Sequence, residues 1–143
     1  MNRATRALAL AIGVTVILAG VALGKAGGTP AIPLNNEQET TGATGGGSGF
    51  FSYTINGTEL CYTLEVRGLT ATPVAAHIHI APRHVAGPVV IPLLPPPGAT
   101  GSVSACTTGS SDDLAAIVAD PRTWYVNVHT PTFPGGEVRG QLK

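Results

Sequence analysis

From Phe50 to the C-terminus the chain alternates apolar and polar side chains in short runs, each cut off by glycine or proline. A period of two sends alternate side chains to opposite faces of a β-strand. Phe51, Tyr53 and Ile55 alternate with Ser52 and Thr54, and Leu60, Tyr62, Leu64 and Val66 share one face of Glu59–Arg67. Asn56-Gly57 lies between these runs and is a strong hairpin signal, because such a turn needs positive φ at both positions. Asn56-Gly57-Thr58 is also a glycosylation sequon, although the turn explains these residues fully.

The same period continues downstream. Ala76, Ile78 and Ile80 face inward, with His77 and His79 outward. Pro88 to Leu94 is a short apolar strand that ends in prolines. In Ser102 to Thr108, Val103, Ala105 and Thr107 oppose Ser104 and Cys106. Trp124, Val126 and Val128 face inward, with Tyr125, Asn127 and His129 outward. The last strand turns Val138 and Leu142 in and Glu137, Arg139 and Gln141 out. One helix is predicted, Ser110 to Ala119. Ser110 is its N-cap, Asp112 and Asp113 suit its positive start, Asp120-Pro121 stops it, and Leu114, Ile117 and Val118 form its apolar stripe. Seven or eight short strands with one helix give an all-β class, an antiparallel Greek-key sandwich or barrel. The 19 glycines and 12 prolines, spread over many segments, disfavour a helical bundle.

Residues 1–24 read as a signal peptide helix ahead of that domain. Arg3 and Arg6 precede an uncharged run from Ala7 to Leu23, and the small residues around Gly24 and Ala26 offer cleavage sites. The competing reading is an uncleaved membrane anchor at residues 7–23, at the short end of spanning length. Residues 25–33 read as a flexible leader, 40–49 as a Gly-rich loop, and 34–143 as the folded domain.

Charged residues are 11 % of the chain, against roughly a quarter in an average domain. A nucleic-acid binder needs a basic face, and this chain has none. Loss of Arg3 and Arg6 on export leaves six basic against eight acidic residues, a slightly acidic mature chain. Export also places Cys61 and Cys106 where a disulfide persists. Both occupy polar positions of their strands, which suits a staple across a sheet face. Metal or redox chemistry competes, but two cysteines this far apart lack the Cys-x-x-Cys spacing.

The four histidines are His77, His79, His84 and His129. His77 and His79 point to one non-core face, and His129 takes the non-core face of another strand. If those strands are neighbours, three imidazoles converge into a metal site for copper or zinc with an open position. His84, in the loop after the pair, is a candidate fourth ligand, and Glu137 a candidate to orient a histidine. The other reading is a structural network in which Glu137, Arg139 and Asn127 complete the hydrogen bonds. Ring nitrogens close to a common point favour metal; rings that diverge or are capped by backbone carbonyls count against it. No nucleophile elbow, phosphate loop or His-Glu-x-x-His helix is present, so no catalytic residue is assigned.

Ala76-His77-Ile78-His79, then Gly87-Pro88-Val89-Val90 and Pro92-Leu93, resembles the signature of the CHRD (chordin) domain family. So does Tyr125-Val126-Asn127-Val128-His129-Thr130, followed by Pro134-Gly135-Gly136-Glu137-Val138-Arg139-Gly140-Gln141-Leu142. Pro33-Leu34-Asn35-Asn36-Glu37 to Gly49 resembles the family's opening strand and Gly-rich turn. The resemblance spans residues 31 to 142, and the cysteine pair resembles that of bacterial secreted single-domain members. It implies an extracellular β-sandwich or barrel without a settled activity. Ile80-Ala81-Pro82-Arg83-His84 departs from the family's Gly-rich sequence after His-x-His, so that loop is expected to differ in shape. A fainter resemblance is to copper,zinc superoxide dismutases, whose copper-ligating His-x-His and later Val-His match His77, His79 and His129. The long zinc loop, bridging histidine and zinc aspartate have no counterparts.

Two functions follow as expectations. One is a secreted, non-catalytic binding or structural module for an unknown extracellular ligand or protein, touching membrane only through an uncleaved N-terminus. The other is a copper or other metal-binding protein, redox-active in the manner of a reduced superoxide dismutase.

Overall fold

A computed structural model describes residues 31–143; the segment read as export signal or anchor lies outside the described residues. Eight strands form: β1 Ile32–Asn35, β2 Ser48–Asn56, β3 Glu59–Arg67, β4 Ala75–Ile80, β5 Val89–Leu93, β6 Gly101–Thr108, β7 Trp124–His129 and β8 Val138–Gln141. They make one sheet in the order β5-β4-β7-β8-β1-β2-β3-β6, with antiparallel neighbours throughout. The sheet curls into a nearly closed barrel, as the alternation and turn spacing predict. Strand β1 begins at Ile32, which is 1 % exposed, so Ile32 and Pro33 of the segment read as leader belong to the barrel.

The barrel interior is the apolar half of each alternating strand. Ile32, Leu34, Phe51, Leu60, Leu64, Val66, Ala76, Ile78, Val126, Val128 and Val138 are all buried, with Trp124 among the largest. The two edge strands, β5 and β6, lie at either side of the remaining gap. Tyr62 of β3 reaches across it: its hydroxyl accepts the Leu94 N–H at 2.6 Å and donates to the Leu94 carbonyl at 3.4 Å. Helix α1, Ser111–Ala119, follows β6 and inserts Leu114 and Ile117 into the core. Ser110 caps it as expected, accepting the Asp113 N–H. Val118 of the predicted stripe is instead 67 % exposed, because the helix meets the barrel with a face narrower than three residues. Ile80 is exposed too, at the last position of β4, beyond the barrel wall.

Two details differ from the sequence reading. The β2–β3 register pairs Asn56 with Glu59, so the loop is Gly57-Thr58 and Asn56 is a strand residue. Only Gly57 has positive φ, +61°, as a type II′ turn requires at its first central position. The second difference decides the site. The face of β4, β7 and β8 outside the barrel is not open to solvent: every residue of β7 is buried. Two loops, residues 81–87 and 130–137, together with Glu39, cover it.

The cysteines form the expected disulfide. Cys61 and Cys106 are direct partners in the β3–β6 ladder, with Cα atoms 3.9 Å apart. Each sits at a polar position of its strand, which leaves the bridge on the outer face of the sheet.

Candidate metal centre

Strands β4 and β7 are neighbours, in the register Ala75 to His129, His77 to Asn127 and His79 to Tyr125. Period two then sets His77, His79, Tyr125, Asn127 and His129 on one outer face. One ring nitrogen each from His77, His79 and His129 falls within 4.8 Å of the others. The convergence that the sequence made conditional on strand adjacency is therefore present. His77 is half-buried, whereas His79 and His129 are buried.

The hydrogen bonds fix the tautomers. His79 Nδ1 lies 2.9 Å from the Gly87 carbonyl, and His129 Nδ1 lies 2.9 Å from the Pro134 carbonyl. A carbonyl oxygen only accepts, so both Nδ1 atoms carry the proton and both Nε2 atoms carry a lone pair. The carbonyl caps thus act opposite to the sequence expectation. They orient the rings and free Nε2, the arrangement in which metal-bound imidazoles are held from behind. His129 Nε2 accepts from His77 Nδ1 at 3.0 Å. His79 Nε2 is buried and has no hydrogen-bond partner. Burial depresses the pKa of all three rings, His77 to about 4, with help from its histidine neighbours, so they are neutral at pH 7. Neutral imidazoles suit zinc and copper, and a metal here would take the place of the proton on His77 Nδ1, which then moves to Nε2. Tetrahedral coordination sets nitrogens about 3.4 Å apart, so binding would replace the 3.0 Å His77–His129 hydrogen bond with a slightly wider spacing and draw the remaining nitrogen inward.

The surroundings are more ordered than outward positions imply. Tyr125 stacks on His79, with centroids 4.7 Å apart and planes at 9°. The Arg139 guanidinium covers the other face of that system and binds the Val85 and Pro82 carbonyls, at 2.8 Å each, and Gln141 Oε1. Asn127 Nδ2 faces Glu39 Oε1 and the Gly135 carbonyl. Burial raises the Glu39 pKa to about 7, against the opposing pull of Arg139 and Asn127.

Two expected members lie elsewhere. His84 sits in the 81–87 loop, exposed, at φ +60°, and is not among the converging histidines. Glu137 is fully buried but bonds no histidine. Its carboxylate accepts from Thr70 N, Thr70 Oγ1 and Thr130 Oγ1, tying two loops together. It precedes β8 and points beyond the strand end, which strand alternation alone does not reveal. Glu39 and Gly87 were missed by sequence reading: one is an ordinary loop carboxylate, and the other contributes only its backbone.

The CHRD domain family model matches residues 31–142, the whole described barrel. The chain belongs to the CHRD domain family. Both histidine strands, the loops over them and the disulfide all lie inside the matched CHRD region. The chain is thereby an extracellular-type module. No helix among the described residues is long and apolar enough to cross a membrane. Comparison with curated proteins and with solved structures returns no match.

Proposed function

We propose that this CHRD domain is exported and acts outside the cell as a non-catalytic binding module, with a copper-class transition metal as the ligand it holds. The observation that carries this reading is the approach of three neutral histidine nitrogens to within 4.8 Å, two of them oriented by backbone carbonyls. Export is supported by the charged start and apolar run of residues 1–24, by the CHRD match and by the disulfide. His77, His79 and His129 are the ligands of this proposal. Arg139 and Tyr125 hold His79 from outside, and His84 takes no part. Copper at such a site would be open to redox chemistry, as the likeness to copper,zinc superoxide dismutases suggests.

The test is metal analysis of the purified mature domain, followed by calorimetric titration with Cu(II) and Zn(II). His77→Ala and His129→Ala are each expected to weaken binding at least tenfold while the fold, followed by circular dichroism, persists. Unchanged affinity in both variants defeats the metal reading and leaves the histidines as a hydrogen-bonded network within a module for another ligand.

A further inference from the structure

Two buried acceptors on this face have no hydrogen-bond partner: His79 Nε2 and Asn127 Oδ1. Asn127 is 1 % exposed and His79 6 % exposed, so both atoms have left water without compensation. The orientation of the amide follows from its neighbours. Its nitrogen is 3.4 Å from Glu39 Oε1 and 3.4 Å from the Gly135 carbonyl, and both are acceptors. An oxygen there would face two lone-pair bearers, so the nitrogen belongs there and the oxygen lies on the opposite side. In the strand ladder Asn127 is the direct partner of His77 and stands between Tyr125 and His129 on their shared face.

Two unpartnered acceptors buried on one face are both satisfied by a cation that binds them. We propose that Asn127 is a metal ligand through Oδ1, and that it completes a three-nitrogen, one-oxygen donor set with His77, His79 and His129. This rests on the metal reading above and goes beyond it, because it assigns an uncharged residue that is not a customary ligand. The amide nitrogen, held by Glu39 and Gly135, fixes the oxygen from behind as the carbonyl caps fix the rings.

The experiment titrates Zn(II) and Cu(II) into the full mature domain and three variants. Asn127→Ala is expected to weaken Zn(II) about tenfold or more and to change the Cu(II) electron paramagnetic resonance parameters while three imidazoles remain coupled. Asn127→Asp keeps a ligating oxygen but sets its second oxygen against Glu39 and the Gly135 carbonyl, so it is expected to recover part of the binding lost in Asn127→Ala. Glu39→Ala removes one of the two partners of the amide nitrogen and leaves the Gly135 carbonyl and Oδ1 in place, so it is expected to weaken binding less than Asn127→Ala does. In the parent, Zn(II) is expected to shift the Asn127 side-chain carbonyl in the 13C spectrum. Parent-like affinity and copper spectrum in Asn127→Ala overturn the assignment while the His77 and His129 variants still decide the metal reading. Equal losses in Asn127→Ala, Asn127→Asp and Glu39→Ala also overturn it and make Asn127 a loop anchor. A parent that binds neither metal ends both readings.

Discussion

The guanidinium of Arg139 lies 3.3 Å from the centre of the Tyr125 ring, whose other side stacks on His79. A strand of β8 thereby reaches the histidines through one aromatic ring. Arg139 is 1 % exposed, and the loop carbonyls of Pro82 and Val85 are its main hydrogen-bond partners. Arg139→Ala strands those carbonyls, removes a desolvated cation–π contact and opens a cavity. A loss of roughly 3 kcal/mol or more is expected, measured by urea unfolding. Arg139→Lys recovers little, because an ammonium cannot span two carbonyls and stack. A loss below 1 kcal/mol would show that the 81–87 loop does not depend on this side chain.

Glu39 sets a pH dependence of defined sign. Its pKa rises from 4.5 to about 7 on folding because burial disfavours the carboxylate; Arg139 and Asn127 face it and oppose the shift. Between those values the folded state binds more protons than the unfolded state, so this group's contribution falls as pH rises from about 4.5 to 7 and is flat above. The cost by pH 8 is roughly 3 kcal/mol at most. Glu39→Gln should be more stable than the parent at pH 8 and equal to it near pH 4. The histidines act in the opposite sense. Their folded pKa values are depressed below 6.5, so their contribution is full above 6.5 and is lost as pH falls below it, that of His77 toward about 4. Thermal unfolding of both proteins from pH 4 to 8 separates the two effects; parallel curves would exclude Glu39 as the source.

The disulfide closes a 45-residue separation. Loop-closure entropy then gives about 4 kcal/mol of stabilisation through the unfolded chain. The double variant Cys61→Ala, Cys106→Ala should lose an amount of that order in denaturant unfolding, while the proposed metal affinity of the histidines, whose strands β4 and β7 pair with neither cysteine strand, should be kept. A loss of affinity in step with stability would contradict that separation.

Gly136 has φ +128°, and a Cβ there would collide with Asn127 Nδ2 and the Glu39 carboxylate. Gly136→Ala therefore combines backbone strain with a displaced Asn127. Roughly 3 kcal/mol of destabilisation is expected by chemical denaturation. If Asn127 holds a metal, affinity falls as well. An alanine variant as stable as the parent would mean that the 130–137 loop yields freely.

Much of this barrel was legible as sequence because burial acts on alternate residues and leaves a period of two. That period found the strands from β2 onward, the inward core from Phe51 to Val138, and the two faces that carry the histidines and the cysteines; β1 was visible only through the family resemblance. The Ser110 cap and the Pro121 stop were equally local. The same period misread exposure. Tyr125, Asn127, Arg139 and Glu137 are polar or amphipathic and were placed outside; they are outside the barrel, yet buried under loops that local pattern does not describe. Whether His77, His79 and His129 meet depended on β4 lying next to β7, a pairing between residues 44 or more apart. Side-chain chemistry in the sequence determined which residues can ligate, pair or pack. Only the tertiary structure decided which of them share a dry space, because strand order and loop cover are set by contacts between distant parts of the chain.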